Sequence, residues 1–163
     1  MTKLLKKELR LIGRAEKVDF PELGLEGVPA RIDTGARSSA VWASEFQEED
    51  GVLSFVFFSS SSPHYTGERY RSQEFRKSVV ASSNGQAQER YAVRLLLKLK
   101  GKKIRSLFTL ADRSSQVYPV LIGRRALYGK FLVDVRAGRP LRKKERRRSK
   151  ALQSLLNNDT VKK

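Results

Sequence analysis

Ala30-Arg31-Ile32-Asp33-Thr34-Gly35-Ala36 is the stretch on which the reading of this chain turns. It sets one carboxylate directly after a short strand-like segment. Gly35 carries no Cβ, so backbone can approach backbone there. Thr34 offers a hydroxyl that can hydrogen-bond and lock the loop. Ala36 leaves room for a bound chain. An aspartate needs such neighbours if it is to face a second carboxylate across a narrow gap. The same residue types also suit an ordinary turn closing a strand.

A second segment alters that balance. Tyr118-Pro119-Val120-Leu121-Ile122-Gly123-Arg124-Arg125-Ala126-Leu127 is an apolar strand, a glycine, and the start of a short helix. Asp33-Thr34-Gly35-Ala36 resembles the active-site tetrapeptide of retropepsins, the single-lobe aspartic proteases, and the apolar-apolar-Gly strand follows in the order that retropepsins carry it. A wider resemblance covers residues 10–136. Gly13-Arg14-Ala15-Glu16, the run 32–40, Leu110-Ala111-Asp112-Arg113 and the run 119–127 are similar to a bacterial family of retropepsin-like peptidases. That family is often labelled ATP-dependent zinc protease and is associated with ATP-grasp ligases that add glutamates to a ribosomal protein.

The resemblance implies a mainly β fold: a single-lobe, retropepsin-like closed β-barrel with one short helix, followed by a basic C-terminal tail. It implies Asp33, Thr34 and Gly35 as the catalytic residues, with Ala36 beside the substrate. It places a flap over the substrate at 64–71, so that Tyr65 and Gly67 would touch it, and puts Gly123 and Arg124 at a subunit interface. The activity implied is an aspartic endopeptidase that cleaves with an Asp-activated water, in an acidic, Glu-rich protein tail.

The 163 residues suit one domain, and 39% hydrophobic content allows a modest core. The sequence has no second Asp-Thr-Gly and is too short for two protease lobes. The second carboxylate then comes from another copy, in a two-fold homodimer, or from Asp112 or Asp134 of the same chain. There is no cysteine, so disulfides and thiol chemistry do not enter. The single histidine, His64, lies in a Ser-rich loop, with no His-Glu-x-x-His and no Gly-x-x-x-x-Gly-Lys-Ser/Thr. The residues therefore match neither the zinc nor the ATP of the family label, and the reading calls for no metal and no cofactor. No apolar stretch is long enough for a signal peptide or a membrane span, so the expectation is a cytoplasmic protein with no membrane contact.

The net charge of +17 points to polyanionic partners: nucleic acid, a ribosome or ribosomal protein, or an acidic peptide. Arg37 follows the tetrapeptide, where it could grip an acidic side chain. Arg90 and Arg94 share one side of a strand. They either read an acidic peptide or form the wet face of a sheet. The alternative to an enzyme is a basic RNA- or ribosome-binding module without catalysis. Against it, Phe55, Phe57 and Phe58 read as core rather than as a stacking platform.

Along the chain, 1–9 reads as a basic arm, 10–136 as the folded domain and 137–163 as a basic tail, partly helical or disordered. Strands are expected at 11–20 with a bend at Gly13, then at 28–33, 38–43, 52–58, 74–81, 90–100, 103–110, 117–122 and 131–135. A loop is expected at 21–27, an acidic turn at 45–51 and a tight turn at Asn84-Gly85. A basic helix is expected over 143–156.

Overall fold

Strands form where Val, Ile, Leu and Phe recur at every second position, because such side chains pack well on a pleated surface. In the computed structural model, which describes residues 8–81 and 85–160, this gives β1 (Arg10–Ile12), β2 (Ala15–Phe20), β3 (Leu25–Ile32), β4 (Ser39–Glu49), β5 (Val52–Phe57) and β6 (Arg69–Ser72). Then follow β7 (Phe75–Ala81), β8 (Ala87–Leu99), β9 (Lys102–Ala111), β10 (Val120–Ile122), the short helix α1 (Arg124–Leu127), β11 (Phe131–Val133) and the helix α2 (Arg142–Thr160). The expected turn at Asn84-Gly85 and most of the arm at 1–9 lie outside the described residues.

The main sheet runs β10-β3-β2-β8-β9-β4-β5-β6, with β7 on β8, and β10 also pairs with β4. The path from β10 through β3, β2, β8, β9 and β4 thus returns to β10. The closure is thin: one residue pair, Asp19 with Lys98, joins β2 to β8, and two join β10 to β4. The result is a β-dominant, retropepsin-like sheet curled on itself rather than a regular barrel. Its interior holds Val18, Phe20, Val28, Trp42, Leu97 and Phe108, all buried. Phe20 meets Phe108 edge to face. Phe55, Phe57 and Phe58 are buried as well.

Two segments differ from expectation. The acidic run at 45–49 continues β4 instead of turning, and the reversal falls at Asp50 and Gly51, both with positive φ. Side chains from other strands bind these acids: Lys77 and Tyr91 take the Glu48 carboxylate, and Arg69 takes Glu45, which has a positive φ where the β4–β5 register shifts. The expected loop at 21–27 is a single 3₁₀ turn over Pro21–Leu23, and β3 already begins at Leu25.

Outside the main sheet, β1 and β11 pair in parallel, with Leu11 opposite Leu132. The chain then crosses back over Gly13. A Cβ on Gly13 would run into the backbone of Ala137, and one on Gly138 into the carbonyl of Ala15. Beyond the crossing, α2 is fastened by its lone acid in the first turn. Glu145 takes both arms of the Arg14 guanidinium at 2.8 and 2.9 Å and the Tyr118 hydroxyl at 2.6 Å. That hydroxyl in turn accepts a hydrogen bond from the Leu141 N–H.

Candidate active site

The Asp33 loop leaves the end of β3 and is built on β10 and α1. Asp33 N–H donates to the Ile122 carbonyl, continuing the parallel β3–β10 ladder by one residue. Past the turn, the N–H groups of Arg124 and Arg125 donate to the carbonyls of Ala36 and Arg37 at 2.8 and 3.2 Å. Gly123 N–H donates to the buried Ser39 hydroxyl. Only glycine allows this packing, because a Cβ on Gly123 would lie 2.5 Å from the Ser38 carbonyl oxygen. The Arg124 guanidinium closes the ring by donating to the Gly35 carbonyl at 2.7 Å.

Within the loop, Asp33 Oδ1 accepts from the Gly35 N–H at 2.9 Å and the Ala36 N–H at 3.1 Å. The carboxylate is thereby aimed and half-exposed, and Oδ2 takes no hydrogen bond among the described residues. A Cβ on Gly35 would stand 3.2 Å from Oδ1, so this glycine lets the turn fold over its own aspartate. Thr34 is exposed, and among the described residues its side chain makes no hydrogen bond; Ser39 and Arg124 hold the loop instead. Of the alternative acids, Asp112 accepts from the Ser114 N–H, and Asp134 is taken by Arg136.

A cavity of about 700 Å³ opens where Ala36, Arg37 and Ser38 leave the loop. Its cations are Arg37, Arg76, Lys77, Arg90, Arg113 and Arg125, and among the described residues no carboxylate lines it. Asp33 is not on its wall; the loop residues Ala36, Arg37 and Ser38 that follow it are. Burial, and then repulsion by Arg90 and Arg31, bring the Arg113 guanidinium down to about 10, with Asp33 pulling the other way. Arg113 Nε is spent on the Tyr118 carbonyl at 3.0 Å.

The structure brings Asp33, Gly35, Ala36, Arg37, Gly123 and Arg124 together, and Arg90 lines the same cavity as Ala36 and Arg37. Arg94 lines a smaller neighbouring cavity of about 150 Å³, joined to the first by Arg76. Tyr65 and Gly67 are in neither. They precede β6, which among the described residues pairs with β5 alone, and Tyr65 packs on the core. Strands β7 and β8 wall the larger cavity. Arg76 and Lys77 carry no motif that marks them beforehand; Arg113 and Arg125 stand inside the quoted motifs Leu110-Ala111-Asp112-Arg113 and Tyr118–Leu127, but without a role assigned to them. His64 is half-buried, and burial, then Lys144 and Lys17, push its imidazole below its ordinary value. Among the described residues no three His, Cys, Asp or Glu side chains converge as a zinc ion's donor set would. No helix among them is long and apolar enough to cross a membrane.

Residues 11–145 match the RimB-like family, described as retropepsin-like aspartic endopeptidase RimB. Probable alpha-L-glutamate ligases are similar over about three-quarters of this chain: that of Shewanella pealeana is 32% identical over 128 residues, and that of Desulfotalea psychrophila 30% over 129. The match covers 28% of the length of each of these relatives. A Legionella pneumophila protein of unknown function, known from its crystal structure, superposes with a TM-score of 0.61 at 25% identity, over 80% of this chain and 97% of that one.

Proposed function

Because the chain belongs to the RimB-like family of retropepsin-like aspartic endopeptidases, we propose that it hydrolyses a peptide bond in an acidic, Glu-rich polypeptide, with Asp33 from each of two copies as the catalytic dyad. The cavity beside the Asp33 loop carries this reading: six cations wall it and no described carboxylate does. Such a site repels basic chains and draws acidic ones before any contact forms. The relatives add support. A stretch like this chain occurs inside proteins named as glutamate ligases, and a hydrolase acting on glutamate-rich chains is the chemical counterpart of an enzyme that builds them.

The chemistry follows from the loop. Two like charges at close range cannot both ionise cheaply, so the pair holds one proton. The ionised carboxylate draws a proton from a water as the water attacks the scissile carbonyl. The protonated partner donates to that carbonyl oxygen. Collapse of the tetrahedral diol returns a proton to the departing amine. Gly35 and Ala36 N–H groups keep Oδ1 fixed through these steps, which leaves Oδ2 as the atom that exchanges protons. Exposed Leu11 and Leu132 lie side by side on the β1–β11 ribbon, apolar surface that a second copy would cover.

The experiment is mass spectrometry of a Glu-rich peptide and its Gln counterpart after incubation with wild type and with Asp33→Asn. We expect cleavage of the Glu peptide alone, weakened as salt rises, and none by the variant. Full turnover by Asp33→Asn, or equal cleavage of the Gln peptide, refutes the proposal.

A further inference from the structure

The cationic cavity at the Asp33 loop does not end there. Arg113 lines both it and a second cavity of about 340 Å³, whose wall includes Arg14, Arg31, Tyr118, Glu145 and Arg148. Gln116, Val117 and Arg148 are in turn shared with a third cavity of about 560 Å³, between α2 and the sheet near Trp42 and His64. The three hollows are thus neighbours in series, the first two sharing Arg113 as a wall and the last two sharing Gln116, Val117 and Arg148. Their only described carboxylate is Glu145, which Arg14 already neutralises.

The helix reaches these cavities with one face. Lys144, Arg147, Arg148 and Ala151 line the third cavity, a spacing of three and four that places them on one side. Lys143, Arg146 and Lys150 line none of the three; Lys144 and Arg147 are exposed like them, and Arg148 is half-buried. The Glu145 fastening to Arg14 and Tyr118 fixes which face points inward. We propose that the Lys144–Arg147–Arg148 face of α2 is the distal wall of a track that runs from the Asp33 loop and holds an extended acidic polypeptide well beyond the scissile bond. The inference rests on the reading of the cleft as a site for an acidic chain, and adds to it a length requirement. A short acidic peptide fills the cleft alone, whereas ten residues, about 33 Å when extended, reach the helix as well.

The test measures fluorescence anisotropy of labelled tri-glutamate and deca-glutamate on full-length Asp33→Asn protein, which binds without cutting. Arg147→Gln with Arg148→Gln is expected to weaken deca-glutamate about tenfold and tri-glutamate less than about twofold. Lys143→Gln with Arg146→Gln removes the same charge from the outer face and is expected to change either peptide less than about threefold. Circular dichroism checks that each variant keeps its fold. Equal weakening of deca-glutamate by the two pairs, or equal loss of both peptides with the inner pair, overturns the track. So does a larger loss for a single-stranded RNA oligonucleotide than for deca-glutamate, which would assign the helix to nucleic acid. Arg76→Gln with Arg90→Gln separates the two claims. If that pair affects neither peptide, the acidic-cleft reading itself fails; if it weakens both while the inner helix pair is silent, only the track fails.

Discussion

Replacing Glu145 by glutamine should undo the fastening of α2, and its size can be worked from the structure. The carboxylate takes two N–H donors from Arg14 and one O–H from Tyr118, all between 2.6 and 2.9 Å. The Arg14 guanidinium, helped by the Tyr118 hydroxyl, brings it from an ordinary 4.5 to about 2. Taken at face value that difference is about 3 kcal/mol. The Arg14 side chain is 40% exposed and that of Glu145 25%, so water screens the pair, and about half, ~1.5 kcal/mol, is the expected loss. The sign is set by linkage. The folded carboxylate binds its proton less readily than the unfolded one, so its contribution is complete above about pH 4.5 and fades as pH falls toward 2. Urea unfolding of wild type and Glu145→Gln at pH 7 and near pH 3 is the assay. The gap between the proteins should be about 1.5 kcal/mol at pH 7 and should narrow in acid. Equal stability at pH 7, or a gap that widens on acidification, refutes the reasoning.

Two further substitutions test the scaffold around the loop. Gly138→Ala, at φ 98° and against the Ala15 carbonyl, should cost about 3 kcal/mol from strain and overlap together, read as a lower urea midpoint; a change under about 1 kcal/mol would mean that the tail crossing is not held as described. Arg124→Ala removes the donor to the Gly35 carbonyl and should lower kcat/KM on the Glu-rich peptide about 10- to 100-fold while stability falls by only about 1 kcal/mol. Unchanged turnover would show that the loop keeps its aim without that arginine.

Much of the fold was legible because it is local. β-Prone or alternating runs marked β5, β7, β8 and β9, and the Asp33 and Gly123 motifs, read in the sequence for their order alone, follow β3 and β10, which pair in parallel. What was not legible depends on distant partners. The run Glu45-Phe46-Gln47-Glu48-Glu49 reads as a polar turn until Lys77, Tyr91 and Arg69 are seen to hold its acids. The β7–β8 hairpin was visible as a hairpin, but its place beside Arg37 and Arg125 follows from the strand order, which no periodicity encodes. Arg113 was placed only when the loop after β9 set it between two cavities, with its Nε on the Tyr118 carbonyl. Glu145 had a signal that went unused: a single carboxylate amid a run of cations, in the first turn of a helix where a negative charge is favoured.

The Asp33 loop also bears on where the second carboxylate comes from. Each competing acid in the chain is already engaged: Asp112 caps its own turn through Ser114, and backbone hydrogen bonding there lowers its proton affinity. Asp134 is forked by Arg136, and that ion pair lowers its affinity too. Recruiting either would break its local bonds and still require its turn to move to the Asp33 loop. Asp33 itself is held so that Oδ1 is spent on backbone donors while Oδ2 is left open, on a half-exposed face. A lone carboxylate so placed has no partner to share a proton, and a proton-sharing pair is what the chemistry requires. A second copy related by a two-fold axis supplies an identical carboxylate with an identical open oxygen, and needs no local bond to break. The proposed dimer is therefore the arrangement that completes the site with the least disturbance to what each chain already holds in place.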